Sequence, residues 1–291
     1  MVSNIKDIFD IDHLLGPADE TELNTAKSFY EKNGWLICDS KKLKSSLDRV
    51  RKEISYIIQR VLKDNQIEIA PNHQDFDSGL QHLISKNRSL GGIVYDATGR
   101  LLSMHQISVH KTITRLARLL LSSNHLQAAF DKAVRIDYPQ EDRFLFPWHQ
   151  DYTYDPSSPG GLVYWIPLKN VREENGSIEI ASGSHKRGIR KVRVVNESNE
   201  KSSGSKLYEI EDLSDIEKAS RFFAELDYGQ FIIFNNLLLH RSGANQSKAT
   251  RWTIQIRYGD FENDFAASKG WPNGSFRNKW FYLTHPEFIA K

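Results

Sequence analysis

The segment RWTIQIRY, Arg251 to Tyr258, alternates without a break. Arg251, Thr253, Gln255 and Arg257 fall on one face of a strand; Trp252, Ile254, Ile256 and Tyr258 fall on the other. Such an element belongs in a sheet whose two sides differ chemically. It closes a series of short segments, AVRIDYP, GGLVYWIPL, GSIEIASGS, RKVRVV and GQFIIFNNLLLH, rich in β-branched or aromatic residues and punctuated by Gly, Pro, Asn or Ser. That texture is the one strands of a barrel or sandwich carry.

Ahead of this region the chain reads as helical. PADETELNTAKSFYEKNGW has a cap at Asp19, acids in the following turn, and Gly34 where a helix should stop. Leu43, Leu47, Val50, Ile54, Ile57 and Val61 then make one stripe at steps of three and four. VHKTITRLARLLLSS is a third helical block, expected to run on into LQAAFDKAV. The expected organisation is one domain over residues 1–291: a helical buttress over about 18–130, a barrel core over about 134–262 and a tail over 263–291. Asn196 to Lys206, NESNEKSSGSK, reads as a mobile loop.

Composition excludes several classes. A net charge of +2 lacks the basic excess of a nucleic-acid binder. The single cysteine, Cys38, permits no intrachain disulfide and fits a reducing compartment. No window approaches the ~18 apolar residues of a membrane span. The first residues carry Lys6, Asp7, Asp10 and Asp12 instead of a signal-peptide core, and EFIAK is not a peroxisomal tail. The expected location is the cytoplasm.

Chemistry concentrates in FLFPWHQDYTYDP, Phe144 to Pro156. On a strand His149 and Asp151 would point to the same side, and an imidazole nitrogen beside a carboxylate suits iron, zinc or manganese. An isolated His-X-Asp is more often a surface pair, so a third ligand is required. Of the other histidines, His240 stands apart because it ends the apolar run QFIIFNNLLLH. It follows His149 by 91 residues, and Arg251 follows it by 11. A hairpin after His240 would return Arg251 beside the metal, where a guanidinium can hold a carboxylate through two parallel hydrogen bonds. Two histidines, one carboxylate and three open positions form the facial arrangement of non-haem Fe(II) oxygenases.

These segments resemble the phytanoyl-CoA dioxygenase family, a branch of the Fe(II)- and 2-oxoglutarate-dependent oxygenases. FYEKNGWLI resembles the family's opening, WHQDYTY its iron-binding segment, VYWIPL a strand by the co-substrate, ENGSIEIASGSHKRG its Asn-Gly to Gly-Ser-His stretch, and LLLHRSGANQSKATR its distal histidine and arginine. The resemblance implies an α+β fold with a mainly β core, a double-stranded β-helix (jelly roll) with helices outside. It implies His149, Asp151 and His240 as iron ligands, Arg251 and Ser242 as holders of the distal carboxylate of 2-oxoglutarate, and Trp165 as a wall of that pocket. The implied reaction is hydroxylation of an unactivated C–H bond with Fe(II), 2-oxoglutarate and O2, releasing succinate and CO2.

Asp151 fills a place where halogenating relatives have a small residue, which favours hydroxylation. No CoA site is evident, and the usual Gly-Asp before the distal strand reads Gly229-Gln230. Phe146 and Trp148 are candidates to seal the site. Arg143 and Arg257 are candidates to meet a small polar or acidic substrate, weighed against ordinary surface arginines. The basic stretch HKRGIRKVR, His185 to Arg193, is weighed in the same way. A rival reading is a jelly-roll metal- or sugar-binding protein without turnover, which has no need of Arg251. A zinc hydrolase is a further rival, without a distinctive general-base motif here.

Overall fold

The computed structural model describes residues 8–68, 75–129, 133–195, 208–272 and 280–290. In chain order the strands are β1 (Ile8–Asp10), β2 (Trp35–Asp39), β3 (Leu126–Ala128), β4 (Ala133–Asp137), β5 (Leu162–Pro167), β6 (Glu179–Ala181), β7 (Val192–Val194), β8 (Tyr208–Ile210), β9 (Arg221–Phe223), β10 (Gln230–Asn235), β11 (His240–Arg241) and β12 (Arg251–Asp260). The helices are α1 (Ile11–Leu14), α2 (Glu20–Asn33), α3 (Lys41–Asp64), α4 (Phe76–Lys86), α5 (Leu90–Thr98), α6 (Leu102–Ser108), α7 (Lys111–Leu121), α8 (Asp264–Ser268) and α9 (Trp280–Thr284). A major sheet runs β1-β2-β10-β5-β12-β3, with β4 also on β12. A minor sheet runs β11-β6-β9, and β7 and β8 form a separate pair. The fold is α+β around a two-sheet jelly-roll core.

Alternation on β12 sorts its residues as the sequence predicts. Trp252, Ile254, Ile256 and Tyr258 join the core that packs β2, β4, β5 and β10 against the helices. The opposite face of the major sheet meets the minor sheet through Trp35, Val163, Trp165, Ile180, Phe222 and Phe234. Arg251, Thr253, Gln255 and Arg257 share that inward side. The barrel interior is therefore apolar at one flank and polar along β12.

Local signals explain the helical layer. Asp19 accepts from the Glu22 amide at 2.9 Å while Glu22 accepts from the Asp19 amide at 3.1 Å, a reciprocal cap that stabilises α2 by about 1 kcal/mol. Gly34 ends that helix with φ of 80°, the left-handed turn that delivers the chain into β2. The stripe on α3 is buried at Leu43, Leu47, Val50, Ile54 and Val61, but its fifth member is Ile58; Ile57 is only partly buried. Leu62 is buried as well, so at 100° per residue the centre of the apolar face falls between Ile54 and Ile58, and Ile58 lies nearer it than Ile57 does.

Three expectations change. LQAAFDKAV does not continue a helix: Leu126–Ala128 and Ala133–Asp137 are strands, both antiparallel to β12. So short an apolar run fits either period, and pairing with β12 decides it. Second, β1, β2 and β3 of the major sheet come from outside residues 134–262, with β2 lying between β1 and β10. Third, β12 does not return beside β11 in a hairpin. β11 pairs with β6, whereas β12 pairs with β5, β4 and β3. A jelly roll places these consecutive strands in opposite sheets, so His240 lies in the minor sheet and Arg251 in the major one. The loop expected at Asn196 to Lys206 lies outside the described residues. Cys38 is buried and free. Among the described residues no helix is long and apolar enough to cross a membrane.

Candidate metal centre and carboxylate pocket

His149 does not sit on a regular strand. It makes a single antiparallel bridge to His240, donating its amide at 3.0 Å and accepting at 3.2 Å, so the minor sheet gains one more rung. Asp151 opens a 3-10 turn over Asp151–Thr153. The two side chains still converge because Gln150 between them is extended (φ −109°, ψ 134°). Gln150 points the other way and is fully used: its Nε2 donates to the carbonyls of Gly188 (2.9 Å) and Leu237 (2.7 Å), and its Oε1 accepts from the Arg190 amide at 2.9 Å. That carboxamide pins the turn.

His149, Asp151 and His240 are buried and each offers one ligand atom, all within 4.8 Å of one another. Nδ1 of His149 lies 2.8 Å from the Pro147 carbonyl, and Nδ1 of His240 lies 3.0 Å from that of Leu238. A carbonyl only accepts, so each Nδ1 carries the hydrogen and each Nε2 offers its lone pair. Both Nε2 atoms lie 3.4 Å from Asp151 Oδ1. Burial and the neighbouring His240 hold His149 down to about 4, so the ring is neutral at pH 7. Burial raises the Asp151 carboxyl, but Arg257 and the two histidines outweigh it and keep it well below the usual carboxylate range. A neutral His149 imidazole beside an anionic Asp151, with His240 Nε2 as the third donor, suits a borderline divalent ion.

Aromatic rings close round the histidines. Phe146 stands 4.9 Å and Tyr154 5.7 Å from the His149 ring, and Phe234 4.6 Å from the His240 ring. Trp148 differs from expectation: it packs beside Ala181, Ile216 and Leu239, with the Arg241 guanidinium 5.2 Å over its ring. Its backbone belongs to the histidine segment, but its side chain turns to the other face.

The second part of the site lies on β12. Arg251 is directly across from Asp137 on β4, and its Nη2 and Nε lie 2.6 and 3.2 Å from Asp137 Oδ2. Arg135 grips the same carboxylate with its Nε 2.9 Å from both oxygens. Burial raises Asp137, yet the two arginines prevail and hold it at about 2. Arg251 itself is 2 % exposed, and burial lowers its pKa against the pull of Asp137. Its Nη1 has no partner among the described residues; nor do Thr253 Oγ1 and Trp165 Nε1. The Arg251 guanidinium lies 5.7 Å from the Trp165 ring centroid. Buried donors left open on one inward surface fit an absent carboxylate, since an unmade hydrogen bond there costs about 1–3 kcal/mol.

The sequence profile of phytanoyl-CoA dioxygenase (PhyH) matches residues 30–253, a span that holds the whole triad and Arg251. The chain belongs to the phytanoyl-CoA dioxygenase family. It is 22% identical to the human peroxisomal phytanoyl-CoA dioxygenase over 289 residues, covering 91% of this chain and 76% of that one. A 1-deoxypentalenic acid 11-beta-hydroxylase of Streptomyces exfoliatus is 29% identical over 107 residues, 37% of each chain. Among solved structures, apo EctD from S. alaskensis superposes with TM-score 0.55 at 14% identity, covering 85% of this chain and 79% of that one. The epimerase SnoN, solved with Fe3+, alpha ketoglutarate and nogalamycin RO, gives 0.52 at 16%, covering 83% and 85%. These superpositions establish the shared fold. The chain is accordingly a dioxygenase.

Ser242 lies two past His240; its Oγ accepts from the Phe146 amide at 3.1 Å, and its amide donates to the Phe146 carbonyl at 3.0 Å. It thus ties the distal-histidine strand to the segment leading to His149. Arg257 is not a surface arginine: its Nε donates to Asp151 Oδ2 at 2.7 Å. Arg143 falls in the 3-10 turn Asp142–Phe144, and its side chain lies outside the described residues. In the basic stretch, Arg187 and Arg190 both pair with Asp215, which gives them a structural task. Residues that sequence reasoning passed over are Arg135 and Asp137. Their signal was present: in AVRIDYP two charges alternate with apolar residues, as on β12. Asp77 was missed as well. It accepts from the Thr250 amide (3.2 Å) and Trp252 Nε1 (3.1 Å), bracketing Arg251 on both sides.

The tail contributes to the centre. His285 is fully buried, with Nε2 2.8 Å from Tyr152 Oη and Phe281 stacked at 4.9 Å. Burial, aided by Lys269, holds His285 at about 4 against an ordinary 6.5. Below 6.5 the unfolded chain takes up a proton that the folded chain refuses, so stability falls as pH drops from about 6.5 to about 4. Urea midpoints of metal-free protein should show this decline, and His285→Asn should make it shallower.

Proposed function

We propose that this chain is an Fe(II)- and 2-oxoglutarate-dependent oxygenase that hydroxylates an unactivated C–H bond of a small polar or acidic molecule, with O2 as co-substrate. What carries the reading is one juxtaposition: a buried His149–Asp151–His240 group within 4.8 Å, and a buried Arg251 whose Nη1 is open. Family membership supports it, as do the Fe3+ and alpha ketoglutarate named with SnoN and the 2-oxoglutarate named with EctD. Bound together, Fe(II) and 2-oxoglutarate supply the oxidising chemistry, in which O2 delivers one oxygen atom to the substrate and one to succinate as CO2 leaves.

The chain's own part is placement and exclusion of water. His149 and His240 present Nε2 because Pro147 and Leu238 hold their Nδ1 hydrogens. Asp151 presents Oδ1. Arg251 would receive the distal carboxylate of 2-oxoglutarate, with Trp165 beneath the guanidinium and Ser242 as a further donor. Phe146, Tyr154 and Phe234 keep solvent from the imidazoles. Arg143 remains the candidate contact for an acidic substrate. A metal- or sugar-binding jelly roll has no use for a buried arginine with an unmet donor.

Succinate release tests the reading. Iron-loaded protein supplied with 2-oxoglutarate and O2 should release succinate slowly without substrate, and faster when a small polar or acidic acceptor is oxidised. Asp151→Ala should reduce both to background. Iron-loaded wild type that forms no succinate under any of these conditions would favour the binding-protein reading.

A further inference from the structure

Arg257 is an inward residue of β12 to which the proposed reaction gives no task. Asp151 has two oxygens, and the structure uses them differently. Oδ1 lies 3.4 Å from both histidine Nε2 atoms. Oδ2 accepts from Arg257 Nε at 2.7 Å. Arg257 Nη2 in turn donates to Gln255 Oε1 at 3.2 Å, and its backbone stands opposite Val163 on β5.

We infer that Arg257 is a positioning residue that commits Asp151 to ligation through Oδ1 alone. This rests on the iron reading above. A carboxylate beside a divalent ion can bind through one oxygen or turn to use both. A second oxygen would take a fourth position of an octahedral ion. The proposed reaction needs three open positions, two for the keto acid of 2-oxoglutarate and one for O2. A guanidinium Nε–H is rigid and aimed along its plane, so it holds Oδ2 away more firmly than a flexible ammonium could. An exposed pair of this type contributes little. Here the side chains are 21% and 5% exposed, and the contact lies inside the barrel. The same strand therefore serves the centre twice, with Arg251 toward the carboxylate pocket and Arg257, six residues on, toward the metal carboxylate.

The test uses metal-free full chain and Co(II) alone as probe, followed by visible absorption, with His149→Ala as the control for the site. Thermal melting without metal shows that each variant is folded. Arg257→Met should weaken Co(II) binding about 10–100-fold, the usual effect of removing the residue that orients a ligand. It should also alter the ligand-field bands, because Asp151 is free to use both oxygens. Arg257→Lys, which restores a donor, should recover part of the affinity and of the spectrum. Should Arg257→Met fail to fold, Arg257→Gln takes its place with the same expectations. Wild-type affinity and an unchanged spectrum in the folded variant would overturn the inference. Equal Co(II) binding by wild type and His149→Ala would instead overturn the metal reading on which it rests.

Discussion

Arg251→Met is expected to weaken 2-oxoglutarate binding sharply while leaving the metal group able to load. Arg251 touches none of His149, Asp151 or His240 in the contacts above; its partner is Asp137, which keeps Arg135 when Arg251 is gone. The variant should therefore fold and take up Fe(II). What it lacks is a counter-charge for a dicarboxylate in a buried pocket. An uncompensated buried charge costs about 3–5 kcal/mol, so affinity should fall on the order of 10²–10⁴-fold. Calorimetry of the iron-loaded variant with 2-oxoglutarate checks this. Near wild-type affinity would mean that the open Nη1 serves some other group.

Asp137→Ala should be the most destabilising single change in the site. It removes the anion that lies between Arg135 and Arg251, whose side chains are 16% and 1% exposed. The buried Arg251 guanidinium and the partly buried Arg135 then lose the carboxylate they share, and among the described residues Arg135 alone keeps a hydrogen-bond partner, the Phe144 carbonyl at 2.7 Å. Breaking a buried pair in this way costs about 3–5 kcal/mol, which in a chain of this size is a fall in Tm on the order of 10 °C. Saturating 2-oxoglutarate with metal should restore part of the loss, because its distal carboxylate returns a negative charge to Arg251. Thermal melts with and without the co-substrate measure both effects. A melting point unchanged by Asp137→Ala would show that the arginines find solvent or other partners.

The two predictions also mark where sequence reading succeeds and where it stops. The inward place of Arg251 was legible because its face of β12 alternates strictly with an apolar face. His149 and Asp151 were legible as a converging pair, although the structure achieves this through an extended Gln150 before a turn and not through a regular strand. Asp137 was not singled out. Its partnership with Arg251 is a matter of register between β4 and β12, and pairing across more than a hundred residues leaves no local trace. The misplaced hairpin after His240 has the same origin: adjacency in sequence suggested adjacency in the sheet, whereas the jelly roll sends consecutive strands to opposite sheets. Arg257 illustrates a third limit. Its face was predicted, but the group it would meet depended on where the Asp151 turn crosses the barrel. At the helical end, Asp19 and Gly34 marked the bounds of α2 because caps are local chemistry.

The most direct measurement is an anaerobic titration of metal-free protein with Fe(II) and then 2-oxoglutarate, followed by visible absorption. A charge-transfer band should appear only after both are added, and it should be lost in His240→Ala and weakened strongly in Arg251→Met. Iron that binds at His149, Asp151 and His240 without any band on addition of 2-oxoglutarate would contradict the account, because the open positions would then not receive the keto acid.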